Sequence, residues 1–380
     1  MQTIAINAGQ SIDVESVTLH RVRVPLKEPF RISNGAVAEK EAILIEIATE
    51  GGIVGWGEAS PMSGSFYSEN TPDTAWKDLC EVLVPVLLDA RSIEPRTLHR
   101  QMREVSDDAF AKAGLEGALW DTYAQARDLP LYKILGSDPR PIPSGVAIGI
   151  FDHVDELLER VELYVRQGYR RVKIKIQPGW DVEPVRAVRE RFPTVPLMVD
   201  ANAAYTSSER EVFIELDKFG LIMIEQPLAR DAHDEAGELQ QLLRTPLCAD
   251  ESADSLESLK SLIEKQAARI INIKVQRVGG LSESLLMLDS AIKAGMKCWL
   301  GTMPELGVAS AQGLHLASHS SFSLPTDIEA SSRWYVDDLV EPLIEIDEQG
   351  FIRLPAGAGM GFKVVRKKVE RYSVAVEKFS

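Results

Sequence analysis

Five charged residues stand at nearly equal steps through the middle of the chain. They are Lys175, Asp200, Glu225, Asp250 and Lys274, separated by 25, 25, 25 and 24 residues. Each lies in or ends a short apolar run: VKIKI, LMVDAN, LIMIEQP, LCADES and INIKV. A charge in such a run is expensive to bury unless it is paired or bound to metal. The expense recurs with the period of a structural unit, which points to one site. Three converging carboxylates (Asp200, Glu225 and Asp250) repel one another unless a hard divalent cation joins them. Oxygen donors without thiolate or imidazole favour Mg²⁺, with Mn²⁺ as a substitute, over zinc. The chemistry this suits is removal of a proton next to a carboxylate. That step builds an enediolate dianion, which a divalent cation stabilises. The base is expected among the lysines, because an ammonium beside a second cation has its pKa lowered. Lys173 and Lys175 share one strand face, so Lys173 is expected to lower the pKa of Lys175, or the reverse.

The elements that must hold these residues follow a regular pattern. From about residue 142, strands at 144–150, 170–176, 196–201, 221–226, 246–251, 270–275, 297–302 and 322–327 alternate with helical stretches. Gly168 and Gly295 end two of those helices, and Ser282 reads as an N-cap. Eight strands with helical crossovers predict an α/β fold, a parallel barrel over residues 138–339. Active sites of barrels lie at the C-terminal strand ends, where the five charges fall. A doubly wound open sheet is the rival, but its Gly-rich first turn is missing. Residues 1–137 read as an α+β unit. It has two β segments, a hairpin turning at Glu50-Gly51-Gly52, then helices over 72–136. EPFRISNGAVAEK and SPMSGSFYSEN read as loops, and Gly64, Gly55 and Gly57 as loop and hairpin requirements. The tail, 340–380, is expected to pack back on this first unit.

Global properties narrow the partners. The chain of 380 residues carries a formal charge of −15, which disfavours nucleic acid and anionic membranes. No apolar stretch is long enough for a bilayer span, and no basic, apolar leader opens the chain. Three scattered cysteines (Cys80, Cys248 and Cys298) predict reduced thiols in a cytoplasm. A small-molecule carboxylate is the expected substrate, and a homo-oligomer the expected assembly. His315 and His319 lack the Glu of an HExxH motif and read as packing or capping residues. Gly279-Gly280 fits either a phosphate approach or a turn into the following helix. No nucleophile elbow is present, and no Cys–His pair is suggested by spacing.

The segments KIKIQPGWDVEPVRAVRERF, VDANAAYT, GLIMIEQPL, CADES and NIKVQRVGGL resemble the enolase superfamily, in its muconate-lactonizing branch. The resemblance runs from PLKEPFRISNG to the stretch around Trp334, and is greatest to o-succinylbenzoate synthases and N-succinylamino acid racemases. It implies a capping domain over a (β/α)₇β barrel, a modified TIM barrel. It also implies Mg²⁺ on Asp200, Glu225 and Asp250, with Lys175 as the base on one face and Lys274 opposite; lysine bases with Mg²⁺ are the general pattern of this superfamily. Asn202 and Glu305 are the substrate contacts it suggests. Dipeptide epimerase and muconate cycloisomerase activities are related alternatives, and a catalytically inactive scaffold is one of another class. The strand-seven stretch LGTMPELG lacks the His of mandelate racemase relatives. Other departures surround the pocket. Met303-Pro304-Glu305-Leu306-Gly307 replaces Met-x-Glu-Thr-Gly, and Ser310 and Gly313 stand where an Arg and an Asn are usual. Beyond strand eight, Thr326 to Ser331, including Ile328, replace Gly-Asp-Thr-Ser-Ala-Ser.

Overall fold

The computed structural model describes residues 11–32, 35–63, 70–90 and 92–380. The centres of RISNGAV and MSGSFYSEN, residues 33–34 and 64–69, lie outside the described residues, and Gly64 with them. The first sheet begins with β1 (Ile12–Ile32) antiparallel to β2 (Gly35–Thr49). Much of EPFRISNGAVAEK, expected as a loop, is therefore strand. The ladder slips between Pro25 and Phe30, where prolines remove donors, and then resumes with Phe30 opposite Val37. β3 (Val54–Ala59) closes the hairpin, with Gly52 N–H donating to the Thr49 carbonyl at 2.9 Å. β4 (Ser92–Ile93) adds a short antiparallel pair with β1.

The Gly55-Trp56-Gly57 run serves packing more than the hairpin. A Cβ on Gly57 would lie 2.0 Å from the Gly114 carbonyl of helix Ala109–Gln125. That helix is buried over most of its surface, so β3 must lie almost directly on its backbone.

After β5 (Ile142–Pro143) come seven parallel strands in sequential order: β6 (Val146–Ile148), β7 (Val172–Lys175), β8 (Leu197–Asp200), β9 (Ile224–Glu225), β10 (Leu247–Ala249), β11 (Ile270–Ile273) and β12 (Lys297–Leu300). The predicted eighth strand, 322–327, is reduced to two isolated bridges, Cys298 with Phe322 and Ser144 with Thr326. Pro325 has no N–H to give a continuous ladder. The segment still joins the two edges. Asp327 N–H donates to the Leu300 carbonyl (3.2 Å) and Gly145 N–H to the Thr326 carbonyl (2.8 Å). The seven-stranded sheet is thereby curled into a barrel.

The tail contributes β13 (Val340–Glu341), β14 (Phe351–Ile352), β15 (Lys363–Val364) and β16 (Ser373–Phe379). β13 pairs with β15, β14 with β5, and β16 with β1 at the edge of the first sheet. Gly280, rather than Ser282, caps helix Leu281–Lys293. Its φ is 129°, and a Cβ there would meet Glu116 Oε2 at 1.8 Å. Glu116, from helix Ala109–Gln125, accepts the Ser282 N–H instead, at 3.3 Å. Gly280 thus makes room for a carboxylate of the protein itself.

Candidate active site

The five spaced charges come together at one end of the barrel. Lys175, Asp200 and Glu225 are the last residues of β7, β8 and β9, while Asp250 and Lys274 directly follow β10 and β11. Lys175 is in register with Asp200, and Asp200 with Glu225. Beyond these ends the backbone turns sharply, with positive φ at Asn202 (42°), Ala203 (60°) and Gln226 (37°). Such strain is kept where surrounding contacts over-determine it. Gln226 is one source of that determination, since its Oε1 accepts the N–H groups of Asp250 (2.9 Å) and Ser252 (3.1 Å).

Ammonium groups bracket the row of carboxylates. Lys175 Nζ donates to Asp200 Oδ2 and to Asn202 Oδ1, both at 2.6 Å. Lys274 Nζ donates to Asp250 Oδ2 at 2.9 Å from the other side. Arg277 also grips Asp250 through both its side chain and its carbonyl. Burial opposes the charge on Asp250, yet Arg277 and Lys274 outweigh it and hold the carboxyl well below the usual range. Asp200 is likewise lowered, burial being outweighed by Lys175 and Lys173. Glu225 goes the other way, up to about 8, through burial and the neighbouring charge of Asp200. It is the carboxylate for which local cations are insufficient.

Lys173 shares the inward face with Lys175, as the alternation predicts, but its pKa is not lowered. Its Nζ contacts Asp327, Glu225 (3.2 Å) and Asp200 (3.5 Å). Burial disfavours its charge, but Asp327, Glu225 and Asp200 together hold its pKa well above the ordinary value. It is a fixed cation, and the expectation of a lowered Lys173 is corrected. Spacing could not disclose the cause, because Asp327 arrives from the segment that closes the barrel.

Asp327 also pairs with Arg171, which is fully buried beside Trp299. Asp327→Ala would leave two buried cations without their shared carboxylate. A loss of about 3–5 kcal/mol is expected, read as a lower urea midpoint at unchanged slope. An unchanged midpoint would mean that the two cations do not depend on Asp327.

A cavity of about 80 Å³ lies against this row, lined by Lys173, Lys175, Lys274, Glu305, Asp327 and Ile328 among others. Pro304 and Ser310 line it too. Gly313, the fourth departure, sits below the wall, and a Cβ there would meet Ile328 Cδ1 at 3.1 Å. Asn202 does not line this cavity; it holds Lys175 and donates to Glu251 Oε1 at 3.0 Å. His315 is a packing residue, as expected. Its Nδ1 accepts Tyr132 N–H (3.0 Å), its Nε2 donates to the Met360 carbonyl (2.8 Å), and burial lowers its pKa to about 4. Sequence reasoning passed over Arg277, Glu251 and Asp327 as site members. The Asp-Glu doublet 250–251 was the one visible signal for Glu251.

The oxygen-donor set suits a hard divalent cation. Among the described residues no group of His, Cys, Asp and Glu side chains is drawn together as a ready metal cage. The carboxylates are turned instead onto lysines. Glu251 Oε2 is buried without a hydrogen-bond partner next to Asp250 and Asp200, an acceptor in want of positive charge.

Comparison with known proteins agrees with this architecture. Residues 14–136 match the mandelate racemase / muconate lactonizing enzyme N-terminal domain, and residues 156–368 match the enolase C-terminal domain-like family. The chain belongs to the enolase superfamily, in its mandelate racemase / muconate lactonizing group. It is 44% identical to an o-succinylbenzoate synthase of Geobacillus kaustophilus over 363 residues, 96% of each chain. It is 39% identical to an N-succinylamino acid racemase of an Amycolatopsis species, covering 95% of this chain and 98% of the relative. A solved enolase-superfamily structure from Listeria innocua superposes with a TM-score of 0.93 at 34% identity, covering 98% of this chain and 99% of the other.

Proposed function

We propose that the protein abstracts the proton α to a substrate carboxylate, forming o-succinylbenzoate by syn dehydration and racemising N-succinylamino acids. The observation that carries this reading is the placement of Lys175 and Lys274. They reach one cavity from opposite ends of the carboxylate row. The names of the relatives, o-succinylbenzoate synthase and N-succinylamino acid racemase, support the two reactions.

Asp200, Glu225 and Asp250 would hold Mg²⁺ or Mn²⁺, taking over the charge balance that ammonium groups now supply. A bound divalent cation supplies stabilisation for negative charge developing on the substrate carboxylate. The lysines do the proton work. In the dehydration Lys175 serves as base and then as acid on one face, while Lys274 contributes positive charge. In the racemisation one lysine takes the α-proton and the other returns a proton to the opposite face. Asn202 Oδ1 orients the Lys175 ammonium. Lys173, fixed by Asp327, is the steady cation beside it.

Residues 1–137 with the tail 340–380 form the proposed cap, and 138–339 the proposed barrel. Among the described residues no helix is long and apolar enough to cross a membrane. A cytoplasmic location and a homo-oligomer are part of the proposal. The test is turnover of the o-succinylbenzoate precursor and of an N-succinylamino acid panel, with and without Mg²⁺. Both activities should vanish on chelation and return with Mg²⁺. Failure to bind Mg²⁺ or Mn²⁺, with no turnover of any panel member, would favour an inactive scaffold.

A further inference from the structure

Where the first sheet meets the loop after β12, two buried carboxyl groups lie within electrostatic reach of one buried ammonium. The carboxyls are Glu58 and Glu305, and the ammonium is Lys40. Lys40 Nζ donates to the carbonyls of Ser60 (3.0 Å) and Pro61 (2.9 Å). Glu58 is richly supplied with donors. It accepts the N–H groups of Leu306 (2.8 Å) and Ala309 (2.9 Å) and the Ser60 hydroxyl. Glu305 accepts a single backbone N–H, from Met303 at 3.1 Å. Two neighbouring buried carboxyls do not both ionise beside one cation, and the proton stays on the one with fewer donors. That one is Glu305. Burial raises both carboxyls, and at Glu305 the charge of Glu58 adds to it and pushes the group up to about 8, so the donor count decides between them. The Tyr335 hydroxyl donates to the Glu305 carbonyl and fixes its backbone at the cavity wall.

The cavity has a matching need. The reacting carboxylate belongs at the lysine end, where Lys173, Lys175 and Lys274 are already engaged with Asp327, Asp200 and Asp250. Among the described residues lining the cavity there is no arginine. A second carboxylate on the substrate, such as the end of a succinyl arm, must therefore find another donor. We infer that Glu305 acts as a neutral acid whose hydroxyl donates to the distal carboxylate of the substrate. The inference rests on the N-succinylamino acid reading and adds how the succinyl end is told from a plain acyl group. A carboxylic acid held neutral in an apolar setting is an established way to obtain such a donor.

Among the described residues, the charged and titratable groups facing Glu305 are Lys40, Glu58 and Lys274, with Tyr335 on its carbonyl. Above its pKa Glu305 becomes a carboxylate and repels the distal group, so preference for the succinyl arm should be present below about pH 8 and fall above it. The measurement is kcat/KM for an N-succinylamino acid divided by kcat/KM for its N-acetyl analogue, taken from pH 6.5 to 9.5. Titration of the shared lysine bases cancels in that ratio. For the unaltered protein the ratio should fall about tenfold with rising pH. Glu305→Gln, which donates at every pH, should hold the ratio within about threefold of its low-pH value throughout. Glu305→Leu should lower it about tenfold at every pH. A flat ratio in the unaltered protein would overturn the inference. So would a ratio that rises with pH, which would indicate a cationic substrate end. A fall that persists in Glu305→Gln would assign the titration to Lys40 and also overturn it. Turnover of the acetyl substrate with an unchanged ratio sinks the Glu305 role alone. Absence of turnover with both substrates sinks the N-succinylamino acid reading and this inference with it.

Discussion

Lys175→Ala is expected to abolish turnover, lowering kcat by about 10²–10⁴-fold, the range that a positioned acid–base group supplies. The Lys175 ammonium is held 2.6 Å from both Asp200 and Asn202 at the edge of the cavity. Its strand is anchored independently of that side chain, through the β6 and β8 ladders. The fold should therefore survive. Asp200 also keeps Lys173 as a partner at 3.5 Å, so metal affinity should change little. Steady-state rates with a Mn²⁺ titration of the same variant separate the two effects. Substantial residual dehydration would place the base elsewhere.

Lys274→Ala should divide the two reactions. Racemisation requires a proton carrier on each face, so it should fall by about 10²–10⁴-fold. Exchange of the α-proton should persist for the enantiomer whose proton faces Lys175. Dehydration, which runs on one face, should lose only what the Lys274 charge contributes. The carboxylate row should remain intact, because Arg277 continues to hold Asp250 when the 2.9 Å contact from Lys274 is gone. The readout is proton exchange of each enantiomer followed separately. Equal loss of exchange for both enantiomers would mean that Lys274 organises the site rather than carrying a proton.

Much of this site was legible because a barrel converts spacing into position. A repeat of about 25 residues per strand–helix unit means that equal steps in sequence become neighbouring strand ends. Spacing alone therefore aligns Lys175, Asp200 and Glu225. What escaped were contacts made across the fold. Asp327 meets Lys173 across 154 residues, and Glu58 reaches Leu306 across 248. No local periodicity encodes such pairings. Short-range signals also misled in places. FSLPTD alternates like a strand, yet Pro325 breaks its ladder and only two bridges remain. EPFRISNGAVAEK is polar and glycine-containing like a loop, yet most of it extends the β1–β2 ladder. Gly57 looked like a hairpin glycine and is instead the point where β3 touches the backbone of a buried helix.

The central claim is that two lysines serve opposite faces of one bound carboxylate. It is tested most directly by incubating each enantiomer of an N-succinylamino acid with the Mg²⁺-loaded protein in D₂O. The α-proton is then followed by NMR. The account predicts that both enantiomers exchange and that each gives rise to the other. Absence of exchange from either enantiomer across a succinylated panel, with metal demonstrably bound, would contradict it.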